Sequence, residues 1–298
     1  MFKMKKISGC GIGLAEYAQK EIVSDYYGTE CPGKWTGKLC KEFNILSGDI
    51  INPGDEKFAK LCLGLRPDRD DKTRLTCKGR LADGIKFFDF VCNAQKSVSI
   101  IALASGDDRV AYAHDRAVEK ALKHIEENAA IHQMVKGRKD IHEKSDGGML
   151  CATFRHSVSR SLDPHMHTHC MIANVAQGSD GKLHALDEHQ MMKAINLANA
   201  VYQNELATEL KGLGYELERS DNKSYKDAGA FEIKGVPRSV IDKFSSRRKE
   251  IEEIASRREK ELGRELTEKE YQKIAWDSRS DKEEFSLSDL KAKWEKEG

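Results

Sequence analysis

The sequence contains no apolar run approaching the ~18 residues that a membrane-spanning helix needs. Its lysine-bearing start, Met1 to Ile12, has no apolar stretch followed by a cleavage site, so no secretory signal is read there. The eight cysteines, at 10, 31, 40, 62, 77, 92, 151 and 170, include no Cys-x-x-Cys pair, which argues against a zinc knuckle. Reduced thiols in a cytoplasmic protein are expected, several of them simply filling the core. There is no internal repeat and no low-complexity linker. Nor does either charge dominate: 50 basic and 49 acidic side chains leave a net charge of +1. Bulk electrostatics therefore do not announce a nucleic-acid binder, and such a function would need its positive charge gathered on one face.

What is present describes a globular protein with a heavily charged surface: 298 residues, 39% hydrophobic and 33% charged. That length suffices for one large domain or two small ones. A short helical pattern around Ile12 to Ile22 is expected to end before Asp25-Tyr26-Tyr27-Gly28, and residues 28–37 read as turn-rich. Residues 40–63 carry an apolar helical rhythm, and 66–84 read as a polar, basic loop region. Ile85 to Cys92 predicts a strand, apolar and aromatic but interrupted by Asp89. Val98 to Ala104 predicts a helix. Residues 114–131 predict an amphipathic one, with Ala117, Val118, Ala121, Leu122, Ile125 and Ala129 on one stripe. Strands are expected over 147–154 and 165–175, joined by a polar connection from Ser157 to Pro164. A long helix over 188–212 should stop at Gly212 and Gly214, with two strands flanking 215–233. From Pro237 the chain turns rich in Lys, Arg and Glu and reads as helical. The expected class is α+β: an antiparallel sheet with helices packed on it over 1–236, and a helical extension of the same domain over 237–298.

Four histidines fall within fourteen residues: His156, His165, His167 and His169. The last three alternate along one predicted strand, so their imidazoles project to one side. Two same-face neighbours can share a metal ion, and His156 on an antiparallel neighbour can add a third ligand. Three neutral imidazoles leave coordination positions open, the pattern of a catalytic rather than a structural site. Imidazole suits Zn, Ni, Mn, Co or Fe, and Mg when phosphate oxygens complete the shell.

The stretch Ala152-Thr153-Phe154-Arg155-His156, with Ser159-Arg160, Asp163-Pro164, His167-Thr168-His169 and Asn174-Val175, resembles the three-histidine motif of the MobF-class conjugative relaxases. These enzymes belong to the wider HUH endonuclease group. Phe88-Asp89-Phe90 and Lys96-Ser97-Val98-Ser99 are similar to the family's Asp-bearing strand and its Pro-Lys-Ser-Val-Ser segment, with Gln95 in place of the proline. His114-Asp115, Tyr202, Leu213-Gly214-Tyr215, Phe231-Glu232-Ile233 and Ser245 with Arg247 and Arg248 extend the likeness along almost the whole chain.

The resemblance implies metal ligands at His156, His167 and His169, with His165 an additional, non-ligand histidine. It implies tyrosine nucleophiles near the N-terminus. Tyr26-Tyr27 looks like the family's second tyrosine pair, while Tyr17, followed by Ala18, stands near the first. Tyr17 is thus expected as first nucleophile and Tyr26 as second. Asp89 is expected to orient a histidine ligand or to help remove the tyrosine proton. The implied reaction is site- and strand-specific nicking of single-stranded DNA at a transfer origin by transesterification. It leaves a 5′-phosphotyrosine and a free 3′-OH, and needs a divalent ion such as Mg, Mn, Zn or Ni. Candidate DNA contacts are Lys72, Arg74, Lys78, Arg80, Lys96, Arg247 and Arg248. The implied partners are a transfer-origin strand with an adjacent hairpin, accessory relaxosome proteins and a type IV coupling protein. A helicase domain is expected beyond Gly298. Three rival readings stand beside this one: a rolling-circle replication initiator, a water-using metal hydrolase, and a DNA-binding module without chemistry. In replication initiators the tyrosine follows the histidines, whereas the best tyrosines here precede them.

Overall fold

A computed structural model describes residues 2–8, 32–76, 84–135, 138–144, 148–220, 231–278 and 286–297. The strands are Phe2–Ser8 (β1), Gly33–Thr36 (β2), Ile50–Ile51 (β3), Ile85–Asn93 (β4), Ala130–Val135 (β5), Arg138–Lys144 (β6), Met149–Val158 (β7), Pro164–Gln177 (β8), Leu183–His184 (β9), Leu217–Arg219 (β10) and Phe231–Ile233 (β11). The α-helices are Glu56–Cys62 (α1), Lys96–Leu103 (α2), Asp108–Glu127 (α3), Glu188–Gly212 (α4), Arg238–Lys243 (α5), Ser246–Leu262 (α6), Glu268–Asp277 (α7) and Leu287–Glu297 (α8).

Six of these strands form the main antiparallel sheet in the order β1-β4-β8-β7-β2-β3, and β9 pairs with the far end of β8. β8 therefore runs through the interior of the sheet. Opposite faces of the sheet bear two separate cores, and the strand alternation sorts residues between them. On one face Phe88, Phe90, Cys92, Met166, Cys170 and Ile172 pack with the apolar sides of α2, α3 and α4. On the other, Phe87, Met171, Ala173, Val175, Leu150, Ala152 and Phe154 pack with Trp35, Phe43, Phe58 and Leu61. Where both faces are covered, the strands read as unbroken apolar runs rather than alternating ones.

Local chemistry explains the helix limits. Asp107 caps α3 by accepting from the Arg109 amide, which starts the helix six residues before the stripe suggested. Its buried side carries Val110, Ala113, His114, Ala117, Ala121 and Ile125. Asp187 caps α4 by accepting from the amides of His189 and Gln190, and Gly214, at φ 93°, follows the last turn. Behind α3, Glu126 Oε1 accepts from the amides of Lys38 and Met149, tying the helix end to the start of β7.

Three expectations need correcting. Gly33–Thr36, inside the stretch read as turn-rich, is a sheet strand paired with β7. The apolar rhythm over 40–63 is not one helix but a 3-10 turn, Lys38–Phe43, then β3 and the short α1. Left-handed Asn44 at φ 52°, Gly48 at φ 99° and Gly54 at φ 83° break it. The Ser157–Pro164 connection is shorter than expected, because β7 continues to Val158 and β8 begins at Pro164. The helix expected around Ile12 to Ile22 lies outside the described residues. Cys40, Cys62, Cys92, Cys151 and Cys170 are buried free thiols, as core-filling cysteines should be.

Helices fill the C-terminal part, and they pack on the same core. Phe244, Leu290 and Trp294 belong to the helix-side cluster. Trp294 Nε1 donates to the Leu162 carbonyl at 2.8 Å. Asp163, in the β7–β8 turn, accepts from the amide and hydroxyl of Ser246 at 2.9 Å each and so caps α6. Among the described residues no helix is long and apolar enough to cross a membrane.

Candidate metal centre

The antiparallel pairing of β7 with β8 sets His156 directly opposite His167, and Phe154 opposite His169. Directly opposed residues share a face, so the alternation along β8 and the register with β7 bring three imidazoles together. Their ring centroids lie 5.1–5.4 Å apart. One nitrogen from each of His156, His167 and His169 lies within 4.8 Å of the other two, close enough for one ion to bridge them.

The ring nitrogens are assigned by their partners. His169 Nδ1 sits 2.9 and 3.0 Å from the two carboxylate oxygens of Asp89, and so donates to them. His167 Nδ1 donates to the backbone carbonyl of His165 at 2.9 Å. In both rings Nε2 is then the unprotonated nitrogen that a metal takes. Burial first, and then the neighbouring imidazoles of His165, His156 and His169, hold His167 well below the ordinary histidine range. A neutral ring is the form that ligates a cation.

Asp89 is 3% exposed on β4, an interior strand, so it is not an edge carboxylate facing water. A buried carboxylate requires a partner, and the His169 imidazole is one. The arrangement is a carboxylate–histidine pair aimed at a three-nitrogen site, a donor set that fits a divalent transition metal. His165 adjoins this group without belonging to it. Its ring stacks on His167 at 4.8 Å, and its Nε2 meets Asn93 Oδ1 at 3.1 Å.

Behind the ligand strand lies a polar layer that sequence reasoning did not find. Thr168, between two histidines of the cluster, points to the helix side, where its Oγ1 lies 2.8 Å from Nε2 of buried His114. His114 Nδ1 lies 2.8 Å from the Tyr202 hydroxyl. Burial, then the charge of Arg155, lowers His114 to about 3, so it is neutral. Arg155 in turn bonds Asp115 at 2.7 Å. His114, Asp115 and Tyr202 were recognisable as motif residues, but only the tertiary path reveals that they lie behind the histidine-bearing strands.

Tyr17, Tyr26, Lys78 and Arg80 lie outside the described residues. Lys72 and Arg74 are exposed in the loop after α1. Lys96 is engaged within the fold: its Nζ donates to the Pro164 carbonyl at 2.9 Å. Burial lowers its ammonium against the pull of Asp163 and Glu232. Arg247 is likewise engaged, donating to the carbonyls of Ala275 and Ser278 at 2.8 Å each. Arg248 is mostly exposed and pairs with Glu252 at 2.7 Å.

The sequence matches the TrwC relaxase family over residues 13–298. It is 29% identical over 308 residues to a multifunctional conjugation protein TraI of Escherichia coli, covering 99% of this chain. Its identity to the TraI of Escherichia coli strain K12 is 27% over 305 residues. The chain spans 16% of the length of these curated relatives. The fold superposes on the conjugative relaxase TrwC in complex with oriT DNA, metal-bound, with a TM-score of 0.84 at 29% identity, covering 99% of this chain and 96% of that one. TrwC complexed with a 27-mer DNA comprising the recognition hairpin and the cleavage site gives 0.82 at 28%, with the same coverage. With the three-histidine centre on two adjoining interior strands of an antiparallel sheet, and the family match running over nearly its whole length, this chain belongs to the TrwC relaxase family.

Proposed function

We propose that this chain is a conjugative relaxase domain that nicks one strand of transfer-origin DNA by tyrosine transesterification. The observation that carries the reading is the three-imidazole cluster, with His169 braced by Asp89. Relatives that hold metal and oriT DNA on the same fold support it.

His156, His167 and His169 would hold the divalent cation; Mg, Mn, Zn and Ni all suit the site. A cation there would stabilise negative charge developing on the non-bridging oxygens of the scissile phosphate. The phenol oxygen of Tyr17 attacks that phosphorus, its proton leaving to a nearby base. The P–O bond to the 3′ oxygen breaks, giving a free 3′-OH and a 5′-phosphotyrosine. One phosphodiester replaces another, so the step is reversible without an external energy source. Tyr26 performs a second transfer that ends the process. Asp89 holds the His169 ring in the ligating tautomer. Lys72, Arg74, Lys78, Arg80 and Arg248 contact phosphates of the strand.

On this reading residues 1–236 form the catalytic core and 237–298 a helical extension of the same domain. The protein acts in the cytoplasm on a strand with an adjacent hairpin, with accessory relaxosome proteins and a coupling protein. A helicase follows in the full-length protein, in keeping with the multifunctional relatives.

The test is incubation with single-stranded oligonucleotides spanning candidate transfer origins, with Mg or Mn, followed by denaturing gels and mass mapping. A DNA adduct on Tyr17, lost with chelator and in His167→Ala, is the expected result. An adduct on Tyr26 or Tyr27 alone would overturn the nucleophile assignment. Cleavage without adduct would favour a water-using hydrolase.

A further inference from the structure

The chain has three tryptophans, and they divide sharply. Trp35 and Trp294 are 2% and 1% exposed, whereas Trp276 is 58% exposed. Trp276 lies near the end of α7, a helix with no buried residue, and the indole belongs to neither hydrophobic core of the described residues. Nonetheless its backbone is held firmly. The Arg247 guanidinium donates to the carbonyls of Ala275 and Ser278, on either side of Trp276, and to the Ser278 hydroxyl. Arg247 follows Ser246, which Asp163 binds at the β7–β8 turn. The indole is thus tied, through three short links, to the turn that leads into the ligand strand.

A cation stands against the ring. Lys5 Nζ lies 5.9 Å from its centroid, within cation–π range. Lys5 is the β1 residue paired directly with Asp89. Opposed residues of an antiparallel pair project to one face, so Lys5 rises on the face that carries Asp89 and the histidines. β1 and β8 are separated by β4 alone. At ~4.8 Å per strand the Lys5 backbone is roughly 10 Å from the ligand strand.

An exposed indole and an exposed ammonium, clamped beside a phosphate-processing face, have the chemistry of a single-strand contact. Every base has a π-face, so stacking on an aromatic ring holds a base regardless of sequence. A base on the indole would sit within reach of the ammonium, and one nucleotide would be held by stacking and by charge.

We propose that Trp276 and Lys5 form a nucleotide subsite beside the metal centre, the indole stacking on a base of the single strand and the ammonium contacting an adjoining phosphate. The proposal rests on the DNA-processing function argued above. It adds a binding element carried by the C-terminal helices and by β1, two parts of the chain distant in sequence. Engagement of Arg247 inside the fold is then an asset: it fixes the platform instead of touching DNA.

The buried state of Trp35 and Trp294 makes a direct test available, because acrylamide reaches chiefly Trp276. The full chain is titrated with a fluorescein-labelled transfer-origin strand, and with oligo(dT) as a sequence-neutral probe. Binding is read by anisotropy, and acrylamide quenching of tryptophan by separate emission with unlabelled strands. The expected result is DNA-dependent protection of the quenchable emission. Trp276→Ala should weaken binding at least about fivefold while Trp276→Phe retains most of it. Lys5→Met should reduce the salt slope of log affinity by about one unit or slightly less. Unchanged circular dichroism and melting would show that the exposed substitutions leave the fold intact. Binding with unaltered quenching, and with Trp276→Ala equal to wild type, overturns the subsite and leaves the relaxase reading standing. Failure of the wild type to bind either strand overturns both.

Discussion

Replacing Asp89 separates what holds the metal from what holds the fold. Its two oxygens receive the His169 Nδ1 proton at 2.9 and 3.0 Å, leaving Nε2 to the ligand set. Removing such an orienting group typically costs 10–100-fold in metal affinity, or about 1.4–2.7 kcal/mol. Asp89→Asn keeps the volume and one acceptor oxygen but loses the charge, and should fall near the lower figure. Asp89→Ala loses both and should approach the upper one. The apo protein should respond differently. A carboxylate only 3% exposed is costly to bury. Asp89→Asn should therefore leave apo-protein stability unchanged or raise it. The assay pairs competition titration of Zn or Ni against a chromophoric chelator with urea unfolding of the metal-free protein. Wild-type metal affinity in Asp89→Ala would refute the bracing argument. A large loss of apo stability in Asp89→Asn would show that the carboxylate serves the fold instead.

Three further predictions follow from other parts of the molecule. His114 falls to about 3 in the folded state from an ordinary 6.5, so only the unfolded chain takes up its proton between those values. Its contribution is intact above pH 6.5 and declines as the pH drops toward 3, by about 2–3 kcal/mol at pH 4.5. Urea unfolding should show a flatter acid limb in His114→Gln, and parallel limbs would contradict the assignment. In Gly33→Ala, the new Cβ would stand 2.2 Å from the ring of Phe154, the residue opposite His169. We expect a loss of ~1–3 kcal/mol from overpacking together with weaker metal binding, and wild-type melting would sink the idea. Asp163→Ala removes both acceptor contacts to Ser246, at a cost of ~1–2 kcal/mol. Limited proteolysis should then cut first within 237–298, and an unchanged cleavage pattern would count against the cap.

Much of this was legible because a local pattern encoded it. The stripe on α3, the apolar run of β4 and the His-x-His-x-His alternation of β8 each belong to one element. The helix buries one defined side, whereas β4 and the second half of β8 are covered on both faces and read as unbroken apolar runs. The clustering of His156 with His167 and His169 needed only one further fact, the neighbouring strand, and an antiparallel partner was the natural guess for His156. β2 and β3 escaped because four and two residues are too short to display a period. The hairpin of β5 with β6 was not anticipated either. Lys96 and Arg247 illustrate another limit. A basic side chain in a sequence reads as a surface charge, yet these two reach backbone carbonyls supplied by segments 68 and about 30 residues away. No local rule connects Asp163 to Ser246, or Lys5 to Trp276, since the chain path alone brings them together.

The burial pattern of β8 shows how the two halves of the sheet divide their work. From Cys170 to Ala173 every residue is buried, because helices cover one face and the Trp35–Phe58 cluster the other. From Pro164 to His169 buried and half-buried residues alternate. Here the helix side is still gripped. The Met166 amide donates to the Ser99 hydroxyl at 3.1 Å, and Thr168 meets His114 at 2.8 Å. His165, His167 and His169 occupy the intervening positions and project to the other face. The strand is therefore fixed through its even-numbered side chains, so its odd-numbered ones can present nitrogen donors without having to support the core. A ligand set carried this way inherits the rigidity of the sheet and needs little reorganisation when it takes an ion. Loosening the grip from behind, as in Thr168→Val, should weaken metal binding without touching a ligand. Wild-type affinity in that variant would mean that the sheet pairing alone sets the histidines.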